Sequence, residues 1–149
     1  MSTQDIYIQS TVLAARHNKV NQTIRLAKKF IYVTIQKEGY HCFPEAASEP
    51  QFATNNKYDV SHLANVHMHY FFIKVWLEVS HSNRDVEFIQ FRRWLNDLYS
   101  NETLDLNSKS CEMIADDLYA QIAAKYPMSE VRIDVAEDNI NGALIEFCP

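Results

Sequence analysis

Two histidines set one residue apart, His67 and His69 in Val66-His67-Met68-His69, open the most constraining stretch of the chain. The run continues unbroken through His69-Tyr70-Phe71-Phe72-Ile73-Lys74-Val75-Trp76-Leu77-Glu78-Val79. In an extended strand, side chains at i and i+2 share a face. Phe71, Ile73, Val75, Leu77 and Val79 therefore continue the face that carries both imidazoles, and an apolar body would hold the pair rigid. A third histidine, His41, ends another β-prone run that begins Phe30-Ile31-Tyr32-Val33-Thr34-Ile35. If the two strands pair antiparallel, His41 arrives beside His67 and His69. Three neutral imidazoles with an open fourth position make a catalytic type of zinc site rather than a closed structural one. A bare His-x-His is equally the pattern of strand histidines that are simply packed or hydrogen-bonded.

The length, 149 residues, predicts one domain with a core of its own. Two glycines and four prolines argue against long flexible linkers. A formal charge of −5, with no dense Lys/Arg cluster, argues against a nucleic-acid backbone as partner. Cys42, Cys111 and Cys148 are odd in number and share no repeated spacing, which speaks against a disulfide framework and for a reducing compartment. Met1-Ser2-Thr3-Gln4-Asp5 lacks the basic and apolar regions of a signal peptide, and no apolar run is long enough to cross a bilayer. The expectation is a cytoplasmic protein with no membrane partner.

Residues 1–29 read as an N-terminal extension packed on a domain of residues 30–149, with His17 facing solvent. Residues 30–42 form the first strand. Residues 43–66, with Pro44 and Pro50, form a long connection between the two histidine strands. A loop this long in a compact domain is usually functional, and it would sit over the site. After the turn His81-Ser82-Asn83-Arg84, Asp85 is placed to cap a helix. Phe88, Phe91, Leu95 and Leu98, widened by Trp94, give that helix one apolar core-facing side, and it ends near Tyr99. A second helix begins near Ser110, with Ser108 or Ser110 as N-cap and Glu112 in the first turn, where the helix dipole favours a carboxylate. Ile114, Leu118 and Ile122 line its inner side, and Pro127 closes it. Val131-Arg132-Ile133-Asp134-Val135 alternates as a strand, residues 138–142 turn, and residues 143–147 return as a hairpin partner. The predicted order is strand, strand, helix, helix, strand, strand.

That order, with these residues at its joints, resembles the tunnelling fold of the 6-pyruvoyl-tetrahydropterin synthase and 6-carboxytetrahydropterin synthase family over about residues 30–147. The family's single His on the first strand and His-Gly-His on the second resemble His41, His67 and His69. Its Val-x-Asp-Phe followed by Leu-Lys is similar to Val86-Glu87-Phe88 with Phe91-Arg92, and its Thr-x-Glu-Asn to Ser110-Cys111-Glu112-Met113. A family Glu that grips the pterin ring at the end of the third strand resembles Glu137. The resemblance implies an α+β ββααββ domain, a four-stranded antiparallel sheet with two helices on one face, closing as a homo-oligomer (a hexamer) into a β-barrel. It also implies Zn2+ on His41, His67 and His69, and a pterin-like or purine-like ligand held by Glu137 with Glu112 and Ser110.

The departures bear on chemistry. The family's catalytic Cys, four residues before the His-x-His, is Leu63 here. Its Asp-His pair between the helices is replaced by Leu104-Asp105-Leu106-Asn107, and the middle Gly of His-Gly-His is Met68. Cys42 adjoins His41 but, on a strand, would point to the opposite face. A zinc-bound water, His62, in the loop before the metal motif, and Asp105 are the candidates left for proton transfer. Two readings stay open: a lyase or isomerase acting on an altered substrate, and a binding protein that keeps the pocket without the chemistry. A structural oligomer with degenerate pockets is a third.

Overall fold

The computed structural model describes residues 27–100 and 102–149. The extension foreseen over residues 1–29, His17 included, falls outside them except for its last three residues. Among the described residues the elements are β1 (Lys29–His41), β2 (His67–Val79), α1 (Phe88–Leu98), β3 (Thr103–Asn107), α2 (Cys111–Lys125), β4 (Val131–Glu137) and β5 (Asn141–Phe147). They build a mixed α+β domain around a five-stranded sheet of order β3-β1-β2-β4-β5.

The pairs β1–β2, β2–β4 and β4–β5 are antiparallel, whereas β3 lies parallel to β1. This corrects the expectation of four strands in a purely antiparallel ββααββ sheet. The segment between the two helices is a strand, and the order is ββαβαββ. Its cause is local: Leu104 and Leu106 are buried while Asp105 between them is exposed. The Glu38–His41 edge of β1 also offers backbone groups that a short strand can satisfy.

The core lies on one face of the sheet. Val33 and Ile35 of β1, Phe71, Ile73, Val75 and Leu77 of β2, and Val131, Ile133 and Val135 of β4 all point inward. Phe91 and Leu95 of α1 and Ile114, Leu118 and Ile122 of α2 pack on them. Phe88 and Leu98, expected on the buried side of α1, sit at its ends and are exposed. The cap of α1 also differs from expectation. Glu87 accepts from the Gln90 N–H at 2.9 Å, while Asp85 closes the preceding turn by accepting from the N–H and hydroxyl of Ser80, both at 2.7 Å. Asp85 lies too far upstream of Phe88 to reach the helix's free N–H groups. Ser110 caps α2, accepting from the Met113 N–H. The opposite face of the sheet leaves Tyr32, Tyr40, Tyr70 and Leu144 exposed. No helix among the described residues is long and apolar enough to cross a membrane.

Both glycines of the chain sit where a side chain has little room. Gly142 lies opposite Ala136 across the β4–β5 hairpin. A Cβ there would stand 2.3 Å from the Val135 carbonyl oxygen and 2.6 Å from Ala136 Cα, backbone atoms that cannot yield. At Gly39 the nearest atoms are side-chain atoms of Leu106 and Phe71, both at 3.1 Å. Gly142→Ala should therefore cost about 1–3 kcal/mol in urea unfolding, and Gly39→Ala less. Equal midpoints for the two variants would contradict this packing.

Candidate metal centre

The register of β1 on β2 sets His41 directly across from His67. His69, two residues further along β2, shares the inward side with His67. One ring nitrogen from each of His41, His67 and His69 lies within 4.8 Å of the other two, so the three can hold a metal ion.

Each ring is oriented through its Nδ1. His41 Nδ1 is 3.1 Å from the Lys109 carbonyl oxygen, and His67 Nδ1 is 2.7 Å from the Asn65 carbonyl oxygen. His69 Nδ1 is 2.6 Å from Asp138 Oδ2. Carbonyl and carboxylate oxygens only accept, so Nδ1 is the donor in all three contacts. A neutral imidazole that carries its proton on Nδ1 leaves Nε2 free as a ligand atom. His41 Nε2 is buried and makes no hydrogen bond. A buried acceptor without a donor is costly, and a cation would satisfy it. The donor set therefore fits a metal ion of the kind that takes imidazole nitrogen.

Asp138 was not foreseen as part of this site. It follows Glu137 in a turn where Asp138 and Asn139 both take positive φ, 51° and 56°, closed by the Ile140 N–H on the Glu137 carbonyl at 3.0 Å. Asp is among the residues that tolerate this conformation. Its Oδ1 accepts from the Tyr70 N–H at 3.0 Å while Oδ2 takes the His69 ring. The His69 hydrogen bond, followed by that from Tyr70, holds the Asp138 carboxyl below the usual carboxylate range. The sequence signal was the Glu-Asp-Asn turn itself, whose middle residue the hairpin carries back to β2.

Glu137, the last residue of β4, brings its carboxylate to the same place. Oε1 is 3.3 Å from His41 Nε2 and Oε2 is 3.7 Å from His69 Nε2. Cys111, at the start of α2, sets its Sγ 3.8 Å from Glu137 Oε1. Burial, with the charges of Glu137 and Glu112, pushes the Cys111 thiol up to about 12. It is therefore an S–H donor toward Glu137 rather than a thiolate nucleophile.

A cavity of about 280 Å³ opens against His41, His67 and Glu137. Phe43 and Leu63, from the two ends of the long connection, form part of its wall and are joined by the Phe43 N–H on the Leu63 carbonyl at 2.8 Å. Two residues of the connection, Phe43 and Leu63, thus reach the cavity. Ser110 and Glu112 stand on the cavity wall as well. Hydrogen bonds from its own N–H and from the Ser110 hydroxyl hold the Glu112 carboxyl below the usual range.

The two side chains considered for proton transfer do not line this cavity. His62 is exposed on a short 3-10 turn, Ser61–Ala64, and is not among the residues lining the cavity. Asp105 is exposed and lines a neighbouring depression that shares His41 and Cys42 with the cavity. Cys42, expected to face away from His41, contributes to the same cavity wall. Strand alternation stops at His41, and Cys42 leaves β1 with its N–H on the Asn107 carbonyl.

No protein-family model matches this chain, and no curated protein matches it.

Asp138→Asn keeps the side-chain size but removes the charge that orients His69. Affinity for a divalent metal, with Co2+ as probe in competition against a chromophoric chelator, should fall about 10–100-fold while the fold is retained. Unaltered affinity would remove Asp138 from the centre.

Proposed function

We propose that the chain is a tunnelling-fold protein that holds zinc with His41, His67 and His69 and binds a pterin-like or purine-like ring with Glu137. The observation that carries this reading is the position of the Glu137 carboxylate, at the end of β4 and on one cavity wall with His41 and His67. The antiparallel order β1-β2-β4-β5, with both helices packed into one core against its inner face, supports the fold assignment. β3 is then an addition at the sheet edge.

A carboxylate so placed accepts two hydrogen bonds from adjacent N–H groups of a pterin or guanine edge, a pairing both strong and geometrically selective. A volume of about 280 Å³ suits a bicyclic ring better than a large ligand. Ser110 and Glu112 supply polar groups at the wall, and Phe43 and Leu63 supply apolar surface. Three imidazole ligands suit zinc, which when bound supplies a Lewis acid for an oxygen on the ring's substituent.

Specific observations favour binding over turnover. Leu63 stands where the family carries its Cys, His62 lies off the cavity, and Asp105 faces a different depression. The Cys111 thiol, held protonated, does not replace the missing base. Sequestration of the ring is therefore the form of the proposal that this geometry supports best, and lyase or isomerase chemistry is the second form. We extend it to self-association, which would cover Tyr32, Tyr40, Tyr70 and Leu144 on the outer sheet face.

Calorimetry with pterins and guanine nucleotides, on protein saturated with zinc, tests the reading. Glu137→Gln replaces one acceptor by a donor, so affinity should fall at least roughly tenfold. Unchanged affinity for every ligand that the wild type binds would sink the anchor assignment. Turnover of any bound ligand would favour the second form, and light scattering of the same samples reads the assembly.

A further inference from the structure

Glu137 stands closer to the histidines than anchoring a ring requires. Its Oε1 is 3.3 Å from His41 Nε2, and its Oε2 is 3.7 Å from His69 Nε2. The His41 side chain is only 9% exposed, and its Nε2 lacks any hydrogen bond although the carboxylate is so near. The reason is chemical. With Nδ1 donating to the Lys109 carbonyl, Nε2 carries a lone pair, and a carboxylate oxygen carries lone pairs too. Two acceptors face each other with no donor between them. At His69 the arrangement repeats, with Nδ1 bound to Asp138 and Nε2 facing Oε2. One divalent cation between the rings and the carboxylate would satisfy both pairs.

We propose that Glu137 is the fourth ligand of the metal when no ring is bound, so that the centre is closed by three imidazoles and one carboxylate. The ligand spacing supports this, since neighbouring donors on a tetrahedral zinc stand about 3.3 Å apart for bonds of about 2.0–2.1 Å. The Cys111 thiol beside Oε1 gives the carboxylate a partner when it is off the metal. The inference rests on the reading above in one respect: a ring that takes Glu137 draws it away and opens a coordination position. Ring binding and metal coordination are then linked, and a ring that supplies no ligand of its own must weaken metal binding.

The test uses the full chain without any ring ligand. A crystal structure of zinc-loaded wild-type protein should place a Glu137 oxygen about 2.0–2.2 Å from the metal. Chelator competition should show zinc affinity reduced at least about tenfold in both Glu137→Gln and Glu137→Ala, with the metal-to-carboxylate distance separating a ligand from an orienting partner. Visible absorption of the Co2+-loaded variants should differ from wild type. A metal-to-carboxylate distance beyond about 3 Å, together with wild-type affinity and an unchanged Co2+ spectrum in the variants, overturns the proposal. Should ring affinity fall in Glu137→Gln while every metal readout stays put, the anchor stands and the fourth ligand falls. Should the metal readouts move while the wild type binds no ring, the fourth ligand stands and the ring reading falls.

Discussion

The pairing of β1 with β2 is the interaction on which both the core and the site depend. It runs in one antiparallel register from Lys29 opposite Val79 to His41 opposite His67. Side chains alternate with a period of two, so a slip of one residue would carry His67 and His69 to the outer face and bury Met68 and Tyr70 instead. The same slip would expose Phe71, Ile73, Val75 and Leu77, all now buried. Burial of such side chains is worth about 1.5–3 kcal/mol each, so the core fixes the register strongly. The histidine cluster is positioned by that apolar stripe, although it contributes little burial itself.

At the far end of the sheet the chain gathers more acceptors than donors. The Lys109 and Asn65 carbonyls and the Asp138 carboxylate claim the Nδ1 protons of the three histidines. What remains toward the middle is Nε2 lone pairs and the Glu137 carboxylate. In a half-buried place of reduced dielectric, such a set is unfavourable without a positive charge. The contacts that orient the rings thus leave three Nε2 atoms together, where they could hold a metal ion. Asp138 has a second effect, since its Oδ1 also ties the β4–β5 turn to the Tyr70 N–H of β2.

Much of this was legible in the sequence because it rests on periodicity. The alternation after His69 and the apolar run ending at His41 bring three histidines together if the two strands pair antiparallel, and Ser110 is one of two serines placed to cap the second helix. What escaped depended on neighbours brought from elsewhere in the chain. Thr103-Leu104-Asp105-Leu106-Asn107 alternates as a strand does, yet nothing in those five residues names the edge of β1 that they pair with. Asp85 looked like a cap because it precedes an apolar stripe, but Ser80 takes its carboxylate. Asp138 and Cys111 adjoin residues that were singled out, and only the hairpin and the start of α2 reveal what they touch. Cys42 lies one residue past the end of β1, where alternation no longer fixes the direction of a side chain.

The central claim is that His41, His67 and His69 offer their Nε2 atoms to one metal ion. Zinc titration by calorimetry, with metal content per chain measured on the dialysed protein, tests it most directly. Wild-type protein should bind about one zinc per chain, and a His67→Ala/His69→Ala double variant with a native circular dichroism spectrum should bind none at micromolar concentration. Full zinc loading of that folded double variant would contradict the account.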